Sequence, residues 1–249
     1  MSSSGAFASR FVAAALAVSL VLVGAATVVL LAAFAFDTAA LAHPGVLVDK
    51  GQDAADLLRL GALLDMASYL PFAVPVLFLH SRLRPINTDW MALLTAGGLA
   101  YVLIGAVGGA LLASAGPPLI EGYATATVGG RDAARASLET VGQAAMVGLW
   151  GTLELIPFAI WIAGVGWLLR QQWRSFAALS IVIGVAAAAS SIRTGFTGRT
   201  LADIDGPLAI AIAAPLGLFV VWQAWLAIRL WPVSTPLSPP GTRVHTVSQ

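Results

Sequence analysis

The sequence predicts an all-α, polytopic transmembrane bundle of six spans with both termini cytoplasmic. Three observations carry this. Hydrophobic residues make up 59% of the chain and charged residues 10%, against about 25% charged in soluble domains. The apolar residues gather in six long runs separated by short polar segments. Basic residues are nearly even between the two sets of run ends, but those of one set sit in the two shortest loops, and nearly all the acidic residues collect at the other.

A span needs about 20 largely apolar residues to cross a hydrocarbon core of about 30 Å. The first run, Phe11 to Phe36, follows Arg10 and precedes a small-residue stretch, Ala40-Leu41-Ala42, that looks like a signal cleavage site. The run is far longer than a signal h-region of about 7–15 residues, so it is expected to stay as a span. The others are Leu57 to Leu79, Trp90 to Ala115, Val141 to Leu169, Phe176 to Ile192 and Leu208 to Leu230. The fifth is the shortest, and its Ala186 to Ser191 stretch of small residues predicts close packing inside the bundle. Gly97-Gly98 and Gly105-x-x-Gly108-Gly109 predict the same for the third. Asp53-Ala54-Ala55 and Asp132-Ala133-Ala134 resemble helix starts, so helices two and four should project beyond the bilayer. The organisation is thus a cytoplasmic segment 1–10, a membrane domain 11–231 and a proline-rich, disordered cytoplasmic tail 232–249.

Arg82, Arg84, Arg170 and Arg174 lie in the two shortest loops, against helix ends, where the positive-inside rule is most reliable. Trp90, Trp167, Trp173, Trp225 and Trp231 gather at that same end, as an interfacial belt would.

Leu70-Pro71-Phe72-Ala73 with Arg84, and Ile156-Pro157-Phe158-Ala159 with Arg170, share one spacing; Trp90 to Leu93 then falls on Phe176 to Leu179 without a gap. This suggests a duplicated helix pair, with chance similarity in an Ala/Leu-rich chain as the rival reading.

Leu60-Gly61-Ala62-Leu63-Leu64-Asp65, Gly148-Leu149-Trp150-Gly151-Thr152-Leu153-Glu154, and Ala214-Pro215-Leu216-Gly217-Leu218 before Trp225-Leu226-Ala227-Ile228 form a set. Together they resemble an uncharacterised bacterial six-span membrane family, domain-of-unknown-function family 4386. The resemblance covers roughly residues 10 to 231. It implies the six-helix fold and a multi-pass protein of the bacterial cytoplasmic membrane, and it brings no activity and no site residues.

Several chemistries find no footing in the sequence. Without cysteine there is no disulfide, thiolate nucleophile or cysteine-ligated metal. No phosphate-binding glycine loop with lysine, HExxH helix or GxSxG elbow is present, and no cofactor is called for. The arginines are scattered, so no nucleic-acid partner is expected. His43, His80 and His245 read as surface residues.

Charged residues inside the spans stand out, because one at the bilayer centre costs at least roughly 2.5–3.5 kcal/mol on insertion scales. Counting at 1.5 Å per residue puts Glu154 about 24 Å above Arg170, Asp65 about 28 Å above Arg84 and Arg193 about 28 Å above Arg174. These three, with Tyr69 a turn below Asp65, form the candidate polar cluster. It either ties helices together or lines an outward-opening pocket for a proton, a cation or a cationic solute. Pro157 and Pro71 each free a backbone carbonyl beside a carboxylate, available to coordinate a cation or, as the commoner outcome, to accept from Thr152 or Ser68. The leading expectation is a non-enzymatic membrane protein that binds or passes a small solute or proton. A scaffold or regulatory subunit recognising another membrane protein is the alternative, and a membrane-embedded lipid enzyme fits least, for want of a nucleophile–base set.

Overall fold

The computed structural model describes residues 3–37, 39–198 and 207–231, and the tail from 232, with His245, lies outside them. The described residues form helices and turns with no strand. In chain order they are α1 (Ser3–Ala33), two 3₁₀ turns (Ala39–Ala42 and Pro44–Lys50), α2 (Gln52–Leu83), α3 (Thr88–Thr125), α4 (Val128–Gln143), a π-helix (Ala144–Leu153), α5 (Leu155–Leu169), α6 (Arg174–Thr197) and α7 (Pro207–Leu230). Segments 7–33, 52–83, 88–125, 128–169 and 174–197 give five helices long and apolar enough to cross a membrane, and Gly217–Leu230 is a shorter apolar stretch of α7. Large apolar side chains such as Leu70, Leu103, Ile156, Val185 and Ile192 remain exposed around the bundle, as a lipid-facing surface requires.

The helix ends differ from expectation in instructive ways. The first run turns at Ala33 because Phe34 is buried while Ala35 and Phe36 adopt left-handed φ angles of 56° and 59°. The Phe36 N–H reaches back to the Leu31 carbonyl at 2.7 Å and closes the helix. The fourth helix starts at Val128, where Thr127 Oγ1 accepts from the Gly130 N–H at 3.4 Å, so Asp132 lies beyond the first turn. The third helix runs ten residues past Ala115, to Thr125, despite Pro117 and Pro118. The small residues of α6 do pack on α5, but Val182, Val185 and Ile192 stay exposed, so α6 lies at the edge of the bundle, not inside it.

The core divides into two clusters. One, toward the arginine-bearing ends, is built on Phe72, Trp161, Phe158, Phe219 and Trp222. The other, toward the acidic ends, contains Phe34, Leu47, Leu58, Leu112 and Leu138, and seats the segment after α1 on α4. Within the first cluster, Phe72, Val76, Leu79 and Leu83 of α2 and Phe158, Ile162, Val165 and Leu169 of α5 are buried at matching registers. Arg84 and Arg170 are the C-cap residues of those two helices.

Candidate functional site

Polar side chains meet at the seam between the two clusters, where α2, α3 and the junction of the π-helix with α5 pass one another. The junction is set up by sequence. Pro157 has no N–H, and its ring would collide with the carbonyl four residues back in a regular helix. Pro71 presents α2 with the same problem, yet α2 stays α-helical. Upstream of Pro157, however, lie Gly148 and Gly151, and the chain there yields by widening to i→i−5 bonds, with the Glu154 N–H on the Leu149 carbonyl at 2.8 Å. A Cβ on Gly151 would sit 2.8 Å from the Met146 carbonyl oxygen and 2.9 Å from Thr194 Cγ2, so the widened turn needs glycine here. The Ser191 hydroxyl of α6 donates to the Thr152 carbonyl at 2.8 Å, and Thr152 Oγ1 donates to Val147 O at 2.8 Å. Ser68 Oγ donates to Asp65 O at 2.7 Å, so neither hydroxyl serves the carbonyls expected from the prolines, those of Leu153 and Ala67.

Glu154 is only 5% exposed. Its Oε1 accepts from the Tyr69 hydroxyl at 3.0 Å, and its Oε2 is buried with no hydrogen-bond partner among the described residues. Tyr69 is fixed by α3: a Cβ at Gly105 would fall inside its ring, and Tyr101 packs edge-on to it at 5.5 Å. The Gly105 carbonyl is in turn held by Trp150 Nε1 at 3.1 Å, which ties α3 to the π-helix. Asp65, one turn along α2 from Tyr69, is half-buried, and its Oδ2 has no hydrogen-bond partner among the described residues. Neither Asp65 nor Glu154 forms an ion pair among the described residues.

Of the four residues expected to cluster, Tyr69 and Glu154 are bonded and Asp65 lies near them. Arg193 bonds to none of these, and its Nη1 is buried without a partner among the described residues. Ser191, Thr194 and Gly195 of α6 meet the π-helix, at Thr152 and Gly151, and helical periodicity turns Arg193 away from that face. Residue counting gives height along an axis and leaves the azimuth of each side chain open.

Two features escaped sequence reasoning. The π-helix is one; its only advance signal is the pairing of Pro157 with two glycines upstream. His80 is the other: it is half-buried, and its Nδ1 lies 2.8 Å from Thr95 Oγ1. Because the Thr95 hydroxyl donates its one proton to Met91 O at 2.7 Å, Nδ1 must be the donor to Thr95. No group of three or more His, Asp or Glu able to hold a metal occurs among the described residues.

The fold is that of an all-helical, multi-pass membrane protein. No family model, curated protein or solved structure matches the chain.

Proposed function

We propose that the protein is a six-span protein of the bacterial cytoplasmic membrane, with both termini inside, that binds a proton or small cation at Glu154 and passes it through a site opening outward past Asp65. The supporting observation is the buried Glu154 carboxyl, which holds one hydrogen bond, leaves its second oxygen unpartnered and has no cationic side chain bonded to it among the described residues, with Asp65 one turn along α2 from its partner Tyr69. A lone ionised carboxylate in such surroundings is costly, so the site favours uptake of a positive charge. A purely structural tie would satisfy both oxygens; here one is left available. The π-helix beside it adds weight, since such segments recur at functional sites. Apolar α7 supplies the sixth span, and the family resemblance of the Leu60–Asp65 and Gly148–Glu154 runs supports the bacterial membrane.

The test is thermal unfolding of the purified protein against pH, with and without sodium or potassium, beside proton flux in proteoliposomes. Ionising Glu154 adds an uncompensated buried charge, so the wild-type Tm should fall as pH is raised, and a bound cation should reverse the fall. Glu154→Gln, which mimics the protonated group, should fold, lose this dependence and lose flux. A wild-type Tm indifferent to both pH and cations, or flux unchanged in Glu154→Gln, would sink the proposal.

A further inference from the structure

At the arginine-bearing end of the bundle, far along the helices from Glu154, α6 and α7 enclose a cavity of about 200 Å³. Its lining includes Arg174 and Ser175 from the start of α6 and Arg229 from the end of α7, with Trp173, Phe176 and Trp225 as its aromatic wall. No carboxylate lines it, and neither arginine is in an ion pair among the described residues. The wall is rigid, because Phe176 stands edge-on to Trp173 at 5.6 Å and to Trp225 at 5.9 Å. The α6 N-cap, Trp173, offers no capping side chain, so the first-turn N–H groups of this helix lack the usual acceptor. Two arginines converging from different helices on an aromatic recess make a setting for a phosphate-type oxyanion, which guanidinium groups bind through paired, charge-assisted hydrogen bonds. Tryptophan at a span end belongs at the level of lipid headgroups, and basic recesses between helices at that level take anionic ones.

We propose that this recess is a binding site for a phosphate-bearing anion, with an anionic lipid headgroup of the adjoining leaflet as its occupant. The proposal is independent of the Glu154 site. The other basic side chains at this end are differently engaged: Arg82 lies over Phe78 at 5.2 Å and Arg170 over Trp167 at 4.0 Å. Arg82 therefore serves as the control for diffuse surface charge.

The experiment measures the Tm of the detergent-purified full chain during titration with short-chain phosphatidylglycerol, short-chain phosphatidylcholine or inorganic phosphate. Phosphatidylglycerol should raise the Tm saturably and phosphatidylcholine should not. Arg174→Gln and Arg229→Gln should each raise the half-saturating concentration about tenfold, the loss of a charge-assisted bond, while Arg82→Gln leaves it unchanged. Both lining arginines are exposed, so their variants should match the wild-type Tm without lipid. A saturable response to inorganic phosphate, lost in the same two variants, would support the oxyanion chemistry and make free phosphate its source. No saturable response to either anion, or an equal loss in Arg82→Gln, would overturn the site. Should a lining variant unfold, native mass spectrometry of the wild type with equal phosphatidylglycerol and phosphatidylcholine decides: retention of the first alone supports the site, and equal retention refutes it.

Discussion

Tyr69 and Glu154 form a side-chain bond that joins α2 to the helix running from Val128 to Leu169, and it exists because Gly105 leaves room for the tyrosine ring. Removing the Tyr69 hydroxyl leaves the Glu154 carboxyl with neither oxygen bonded, so Tyr69→Phe should cost about 1–3 kcal/mol in denaturant unfolding. In a double-mutant cycle, Tyr69→Phe and Glu154→Leu should couple, because each removes one side of the same bond. Tyr69→Phe and Arg193→Gln should instead add to within about 0.5 kcal/mol. Coupling to Arg193 as strong as that to Glu154 would contradict the geometry. At this scale the sequence was informative where a residue type is improbable in its setting: a glutamate in an apolar run announces itself. It was silent on Arg193, because counting residues gives height along an axis and says nothing of which way a helix is turned. His80 was misread as a surface residue for a related reason, since a polar side chain near a span end gives no hint that a neighbouring helix carries Thr95 to meet it.

Among the elements, the π-helix is what makes the fourth long helix unlike the others. Each of its turns closes on the fifth residue instead of the fourth, so ten residues of it reset the face that α4 presents relative to α5. No hydropathy pattern reports this, because the segment is apolar under either winding. Its widened backbone is held from outside by Ser191, whose hydroxyl donates to the Thr152 carbonyl. Ser191→Ala should lower stability by about 1 kcal/mol and speed hydrogen exchange between 149 and 157. Ser190→Ala, beside it on α6, should stay within about 0.5 kcal/mol of wild type. Equal effects of the two would show that the π-helix needs no support from α6. The helix pairs α2–α3 and α5–α6 make the contrast sharper: their cores use matching registers from Phe72 and Phe158 onward, yet α2 keeps its α geometry through Pro71 and Pro75. Likeness of pattern extends to the buried face of α2 and α5 and stops at the turn before each proline, where Gly151 faces Asp65 in the repeat alignment.

For the molecule as a whole, charge is distributed by end. Arg10, Arg82, Arg84, Arg170, Arg174 and Arg229 lie at one end with Asp89 as their acidic companion, while Asp49, Asp53, Asp56, Glu121, Asp132 and Glu139 lie at the other. The acids there are not idle. Arg135 binds Asp49 at 2.5 and 2.7 Å, Arg59 binds Glu121 at 2.9 Å, and the Gly45 N–H donates to Glu139 Oε2 at 2.8 Å, so they lock the segment after α1 and the ends of α2, α3 and α4 together. Arg59 and Arg135 at this end are thus engaged with carboxylates, whereas Arg82 and Arg170 of the opposite end stand over Phe78 and Trp167. Free positive charge beside short loops is what resists translocation, and this is the ground for proposing that the arginine-bearing end is cytoplasmic. The chain has no cysteine of its own, so single cysteines can be read without background. At exposed positions, Thr125→Cys and Ser137→Cys should react with an impermeant thiol reagent in intact cells. Asp89→Cys and Gln171→Cys, exposed at the other end, should react only after the membrane is opened. The reverse pattern would invert the molecule, turn the Glu154 site toward the cytoplasm and move the Arg174–Arg229 recess to the outer leaflet. Labelling of all four in intact cells would mean that these helices do not span the membrane at all.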